Sequence, residues 1–152
     1  MNTTHTEPRP CPVLARVAGA AVTGAVVAGG AVAFLSWARR ESERACASTD
    51  GLCFTWWDIA ALPLTFGTAL IVLLVVYRQL GIGPRLAVVP PTILLGPFPL
   101  TAADATAGSA AVTLVGAVWS CSLALTAWSR YRVLGCSAAA ALMLASFIVL
   151  YG

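Results

Sequence analysis

The sequence predicts an all-α integral membrane protein: a bundle of five transmembrane helices, four at the least, with the third segment broken by prolines. Three observations predict it. Hydrophobic residues make up 59% of the 152-residue chain and charged residues only 10%, against about 45–50% and about 25% in ordinary soluble domains. Mean hydropathy is +0.87. Long charge-free apolar stretches recur along the chain, each near the roughly 20 residues a helix needs to cross a hydrocarbon core of about 30 Å. Helices rather than strands follow, because the stretches show no polar–apolar alternation and a chain this short closes no barrel of many tilted strands.

The first 16 residues are short and polar and read as a disordered cytoplasmic tail; residues 17–151 read as one transmembrane domain. Span one is Val17–Ala38. Twelve of its 22 residues are Gly or Ala, and Ala21, Ala25, Gly29 and Ala33 recur every four residues. Such a face lets two helices approach closely, where van der Waals contact drives association in lipid. Gly116, Ser120 and Ala124 in span four and Ser137, Ala141 and Ala145 in span five repeat the spacing. These faces serve packing within the bundle, or association with a second copy or another membrane protein. A cleaved signal peptide is the competing reading of span one, but its apolar run exceeds the 7–15 residues of a signal core.

Residues 39–55 form the one sizeable loop. It holds Cys46 and Cys53, with an Asp50-Gly51 turn signal between them. On an outer face the two cysteines are expected to form a disulfide. A redox-active pair is the alternative, although such pairs usually have two intervening residues, not six. Span two is Trp56–Tyr77. Thr55 and Asp58 stand three apart at its start, the spacing of an N-cap with an acidic group in the first turn. Asp58 is therefore read as a cap, with an intramembrane ion site as the alternative. Trp56 and Trp57 beside it suit the headgroup zone.

Span three, Leu86–Ala103, contains Pro90, Pro91, Pro97 and Pro99. Proline removes a backbone donor and disfavours helix at the preceding residue, so this stretch is a kinked span or a re-entrant segment. Span four is Ala107–Trp128 and span five Val133–Tyr151. Charge arbitrates their number. Five spans with the N-terminus inside put Arg9, Arg16, Arg78, Arg85, Arg130 and Arg132 inside and Arg39, Arg40 and Arg44 outside, six against three. Four spans reverse the balance to four against five, so the positive-inside rule favours five.

The composition excludes a disordered chain, a coiled coil and a nucleic-acid-binding domain. The net charge of +3 comes from nine Arg and six acidic residues, with no Lys and no basic run, so no nucleic-acid partner is expected. Arg-only, Ala-rich usage points to high-GC bacterial coding and hence to a bacterial cytoplasmic membrane. No span carries Glu, Lys, Arg or His in its interior, which speaks against a proton-coupled pump. No nucleophile has a membrane-embedded His to serve it as base. The sequence therefore predicts no catalytic residue, no metal site and no cofactor, and a small non-enzymatic protein that acts through helix packing in the bilayer. The alternative is a small oligomeric channel or transporter, its path lined by Pro90, Pro91, Thr92, Gly96 and Pro97, because irregular backbone at membrane depth is tolerated only in protein or along a cavity.

Overall fold

The computed structural model describes residues 11–47, 53–81 and 85–152. Among them there is no strand. The elements are α1 (Cys11–Cys46), α2 (Trp56–Gln79), α3 (Arg85–Leu95), α4 (Pro97–Leu125) and α5 (Arg132–Tyr151). Four of these, α1, α2, α4 and α5, are long and apolar enough to cross a membrane. The expected Asp50–Gly51 turn and residues 1–10 of the expected tail lie outside the described residues.

Helix α1 corrects the expected boundaries at both ends. Residues 11–16, assigned to the tail, are its first turns, and residues 39–46, assigned to the loop, are its last. Hydropathy marks where the apolar stretch ends, not where the helix ends. Arg, Glu and Ala are good helix formers, and the Arg40-Glu41-Ser42-Glu43-Arg44 run carries the helix on. Arg44 pairs with Glu41 at 3.4 Å one turn back, and the Arg40 Nε donates to the Ser36 carbonyl at 3.1 Å. From Arg16 to Arg39 is 23 residues, about 35 Å of helix, so these arginines bracket a bilayer-sized length. Helix α2 starts at the expected Trp56 and ends two residues later than expected, accommodating Pro63.

The third expected span is not one helix. It divides at Gly96 into α3 and the beginning of α4. Pro97 and Pro99 lack the N–H groups that the carbonyls of Ile93 and Leu95 would accept in a regular helix. A Cβ on Gly96 would lie 2.6 Å from the Thr92 carbonyl oxygen. Gly96 itself keeps helical angles (φ −55°, ψ −38°), so residues 85–106 form one bent run.

Helix α4 is not a straight rod. Ala107 (φ −141°, ψ 15°) and Gly108 (φ 69°, ψ −157°) are non-helical inside it. In a straight helix Trp119 would stand about 33 Å from Pro97. Instead the Trp119 Nε1 donates to the carbonyl of Thr92, on α3, at 3.0 Å. The chain therefore reverses at residues 107–108, and the arms 97–106 and 109–125 form a loopless helical hairpin. Ala103 of the first arm and Val112 of the second share an apolar cluster with Ala28. The expected start of span four, Ala107, falls on this turn.

Helices α1 and α4 are central. Ala20, Gly24, Ala28 and, further along, Ala38 are the buried small residues of α1. A Cβ on Gly24 would collide with Ser120 and with the Gly116 carbonyl, and one on Gly116 would fall 2.5 Å from the Ala28 Cβ. The expected face Ala21, Ala25, Gly29 and Ala33 lies one position round. Its first three residues are half-buried and Ala33 is exposed, while a Cβ on Gly29 would come within 2.9 Å of Thr113 Cγ2. Helix α2 packs on α1 and α3, and α5 on α4 alone. Gly135, Ala139 and Ser146 of α5 are buried, whereas Ser137, Ala141 and Ala145 face outward.

Candidate functional site

Two ends of the bundle differ in how they are closed. At the end carrying Arg16 and Arg78, the residues Ala20, Leu73, Tyr77, Val89 and Ala124 from α1 to α4 form one buried cluster. Tyr77 is 0% exposed, and its hydroxyl donates to the Ser120 carbonyl at 3.5 Å. Burying a phenol with its polar tip satisfied gives both apolar contact and fixed orientation.

At the other end α2 is tied to α1 alone. Cys46 and Cys53 are paired as a disulfide, with Cα atoms 5.7 Å apart. Asp58 accepts hydrogen bonds from the Thr55 N–H (2.8 Å) and hydroxyl (2.8 Å). It also accepts one from the Ser42 hydroxyl of α1, 3.0 Å from Oδ1. The carboxylate thus caps its own helix and grips its neighbour. Trp37 and Trp57 meet edge to face with centroids 4.9 Å apart, and Phe34 joins them. Thr55 and Asp58 are brought together as expected from the sequence; that Ser42 completes the set depends on the extension of α1.

Because α2 follows α1 there, a wedge opens between α1, α2 and the α3–α4 run. The cleft has a volume of about 450 Å³, within the roughly 300–1,000 Å³ of ligand sites. Its walls are apolar: Val27, Ala31 and Leu35 from α1, Leu62, Phe66 and Ala69 from α2, Ile93 and Leu100 opposite. Leu73, Trp119 and Ser120 line it too, beside the Tyr77 cluster. Thr65 and Thr101 turn their hydroxyls back onto the carbonyls of Ala61 and Pro97, and the indole N–H of Trp119 is spent on Thr92. Arg39 of α1 and Asp104 of α4 also line the cleft, both exposed. Among the described residues the one ion pair is Arg44–Glu41, so these two opposite charges share the cleft without pairing.

Of the residues expected to line a path, Thr92, Gly96 and Pro97 do line the cleft. Pro90 is exposed and Pro91 half-buried, and neither contributes to it. Arg39 and Asp104 were not singled out in the sequence because each is the first residue after an apolar stretch. Cys121 is half-buried and Cys136 exposed, both as free thiols. No group of three His, Cys, Asp or Glu side chains gathers among the described residues. Comparisons with family models, curated proteins and solved structures find no match to this chain.

Proposed function

We propose that this chain is a five-pass, non-enzymatic protein of a bacterial cytoplasmic membrane, N-terminal side inside, that holds a membrane-resident molecule in the lateral cleft between α1, α2 and the α3–α4 run. The five-pass arrangement is supported by the reversal at residues 107–108. Arg16, Arg78, Arg130 and Arg132 gather at one end of the bundle and Arg39, Arg40 and Arg44 at the other, as the positive-inside rule asks. Reporter fusions test it: a reporter after Gly152 reads outside and one inserted at residues 82–84 reads inside. A reporter after Gly152 that reads inside overturns the five-pass arrangement.

The observation that carries the binding reading is the cleft itself, apolar along its walls and closed at one end. A conduction path would have to pass the buried Leu73–Tyr77–Ala124 cluster, which is why binding is favoured over a channel. The test uses membranes containing a lipid with a photoreactive acyl chain. Adducts are expected to concentrate on Thr65, Phe66 and Leu100, and to fall when Ala69→Phe fills the cleft. Adducts spread evenly over outward residues such as Leu144 and Ile148 would overturn the reading.

A second reading, association with another copy or a membrane partner, is favoured by α5. That helix packs on α4 alone and turns Ser137, Ala141 and Ala145 outward. Cys136, exposed on the same helix, is a native probe. Oxidative cross-linking in membranes gives a dimer lost in Cys136→Ser if two copies meet there, and no dimer if they do not.

A further inference from the structure

The hairpin carries a carboxylate to a depth where a charge is costly. Arg16 and Arg39 bracket the bilayer-sized length of α1, and Ala28 lies 12 residues from the first and 11 from the second. Ala103 shares an apolar cluster with Ala28 and Val112. A Cβ on Gly29 would come within 2.9 Å of Thr113 Cγ2, which sets the same level from the second arm. Asp104 follows Ala103 and lines the cleft, so it stands about 15 Å inside the level of Arg39. Among the described residues it makes no ion pair and no hydrogen bond. Asp58, by contrast, is held by Thr55 and Ser42. A carboxylate at membrane depth is expensive to keep, and such groups either pair with another charge or mark a substrate site.

Resting on the cleft-binding reading above, we infer that the occupant is a lipophilic organic cation: its apolar body fills the wedge and its protonated amine sits on the Asp104 carboxylate. The apolar walls supply the contact for the body. The hydroxyls of Thr65 and Thr101 are turned back onto their own helices, so the carboxylate is the group left to receive a polar end. An ammonium brings both the opposite charge and N–H donors, and a carboxylate accepts them. A bare divalent metal ion fits poorly. It asks for about six or more oxygen ligands, and no group of three His, Cys, Asp or Glu side chains gathers among the described residues. The ammonium of a phospholipid fits poorly too, because headgroups lie outside the hydrocarbon core, near the level of Arg39. A fatty acid would set its own carboxylate against that of Asp104.

Native mass spectrometry of the full chain in a non-ionic detergent at neutral pH tests this, with dodecylamine, dodecanol and dodecanoate as probes. The three share one chain and differ in charge. Dodecylamine, protonated, is expected to bind about 10-fold tighter than dodecanol, the low end of what hydrogen bonds to a charged group contribute, and dodecanoate to bind most weakly. Asp104→Asn keeps the shape and removes the charge. It should abolish the advantage of the amine while dodecanol binds as to the wild type. Arg39→Gln should leave that advantage intact, because Arg39 stands a bilayer half-thickness away. Both residues are exposed, and Asp104 makes no bond within the protein, so these variants fold. Equal or weaker binding of the amine by the wild type overturns the assignment, as does an advantage that survives Asp104→Asn or disappears in Arg39→Gln. The Ala69→Phe variant separates the two levels. If it weakens all three probes while the wild type shows no preference for the amine, the cleft reading stands and the cation inference fails. If it binds all three as the wild type does, the cleft reading fails and takes the cation inference with it.

Discussion

Replacing Gly108 by alanine isolates the turn on which the hairpin depends. Gly108 sits at φ 69°, ψ −157°, a region that residues with a Cβ avoid because the side chain clashes with its own backbone; holding one there costs about 1–3 kcal/mol. Packing adds nothing, because a Cβ built on Gly108 meets no atom within 4 Å. The penalty is therefore purely conformational. It amounts to about 5- to 150-fold in the folding equilibrium. Gly30 and Gly67 are the controls. Each also finds open space around an added Cβ, but each lies within a helix, in α1 and α2, where alanine is favoured by about 0.5–1 kcal/mol. Unfolding in mixed micelles at increasing dodecyl sulfate, followed by tryptophan fluorescence, measures all three. Gly108→Ala should unfold at lower detergent fraction than wild type, and Gly30→Ala and Gly67→Ala at equal or higher fraction. If Gly108→Ala is as stable as Gly30→Ala, the reversal at 107–108 is not a strained turn and the hairpin argument fails.

Four further outcomes follow from the same contacts. Gly116→Ala places a Cβ 2.5 Å from that of Ala28 and 2.9 Å from the Gly24 carbonyl, so α1 and α4 must part; a loss of about 1–3 kcal/mol is expected in the same unfolding assay, as for other overpacked cores. Trp119→Phe removes the bond to the Thr92 carbonyl and should lose about 1 kcal/mol, with faster hydrogen exchange in residues 92–100 as the local readout. Membrane-impermeant maleimide on intact cells should label Cys46 and Cys53 only after reduction, and serine at both should reduce stability by about 2 kcal/mol on the loop-entropy account; labelling without reductant contradicts the bond. Ser42→Ala should raise hydrogen exchange at the start of α2 without altering the Tyr77 end, and uniform exchange along α2 would show that Ser42 holds nothing there.

Helices long and apolar enough to cross a membrane were legible because that length and composition are shared by few other structures. The start of α2 was legible because a cap is a local device: Thr55 and Asp58 need only each other and three residues of spacing. Three features were not legible, each for a physical reason. Helix α1 runs to Cys46 because Arg, Glu and Ala sustain helix in water as well as in lipid, so the apolar boundary at Ala38 carried no stop signal. The buried face Ala20–Gly24–Ala28 could not be told from Ala21–Ala25–Gly29–Ala33, because small residues are so dense in this helix that two adjacent stripes have the same spacing; only the partner, Gly116 and Ser120, selects one. The reversal at Gly108 was hidden because a turn made by one glycine leaves no polar loop behind it. The pairing of Trp119 with Thr92, 27 residues apart, depends on that turn and was invisible for the same reason.

The cleft follows from where α2 is anchored. Ala28 is level with Val112, and from Val112 the hairpin arm runs about four residues, or about 6 Å, before it turns back. Helix α1 goes on from Ala28 to Ser42, 14 residues and about 21 Å. The Ser42–Asp58 bond and the Cys46–Cys53 pair therefore hold α2 about 15 Å beyond the end of the hairpin. At that height α4 has nothing to offer α2, so α2 follows α1. At the opposite end Tyr77 and Leu73 reach across to Ala20, Val89 and Ala124, and α2 is drawn in. A helix held to one neighbour at its start and to three at its end must diverge from the hairpin along its length. The wedge is thus a consequence of an overlong α1 and a short hairpin.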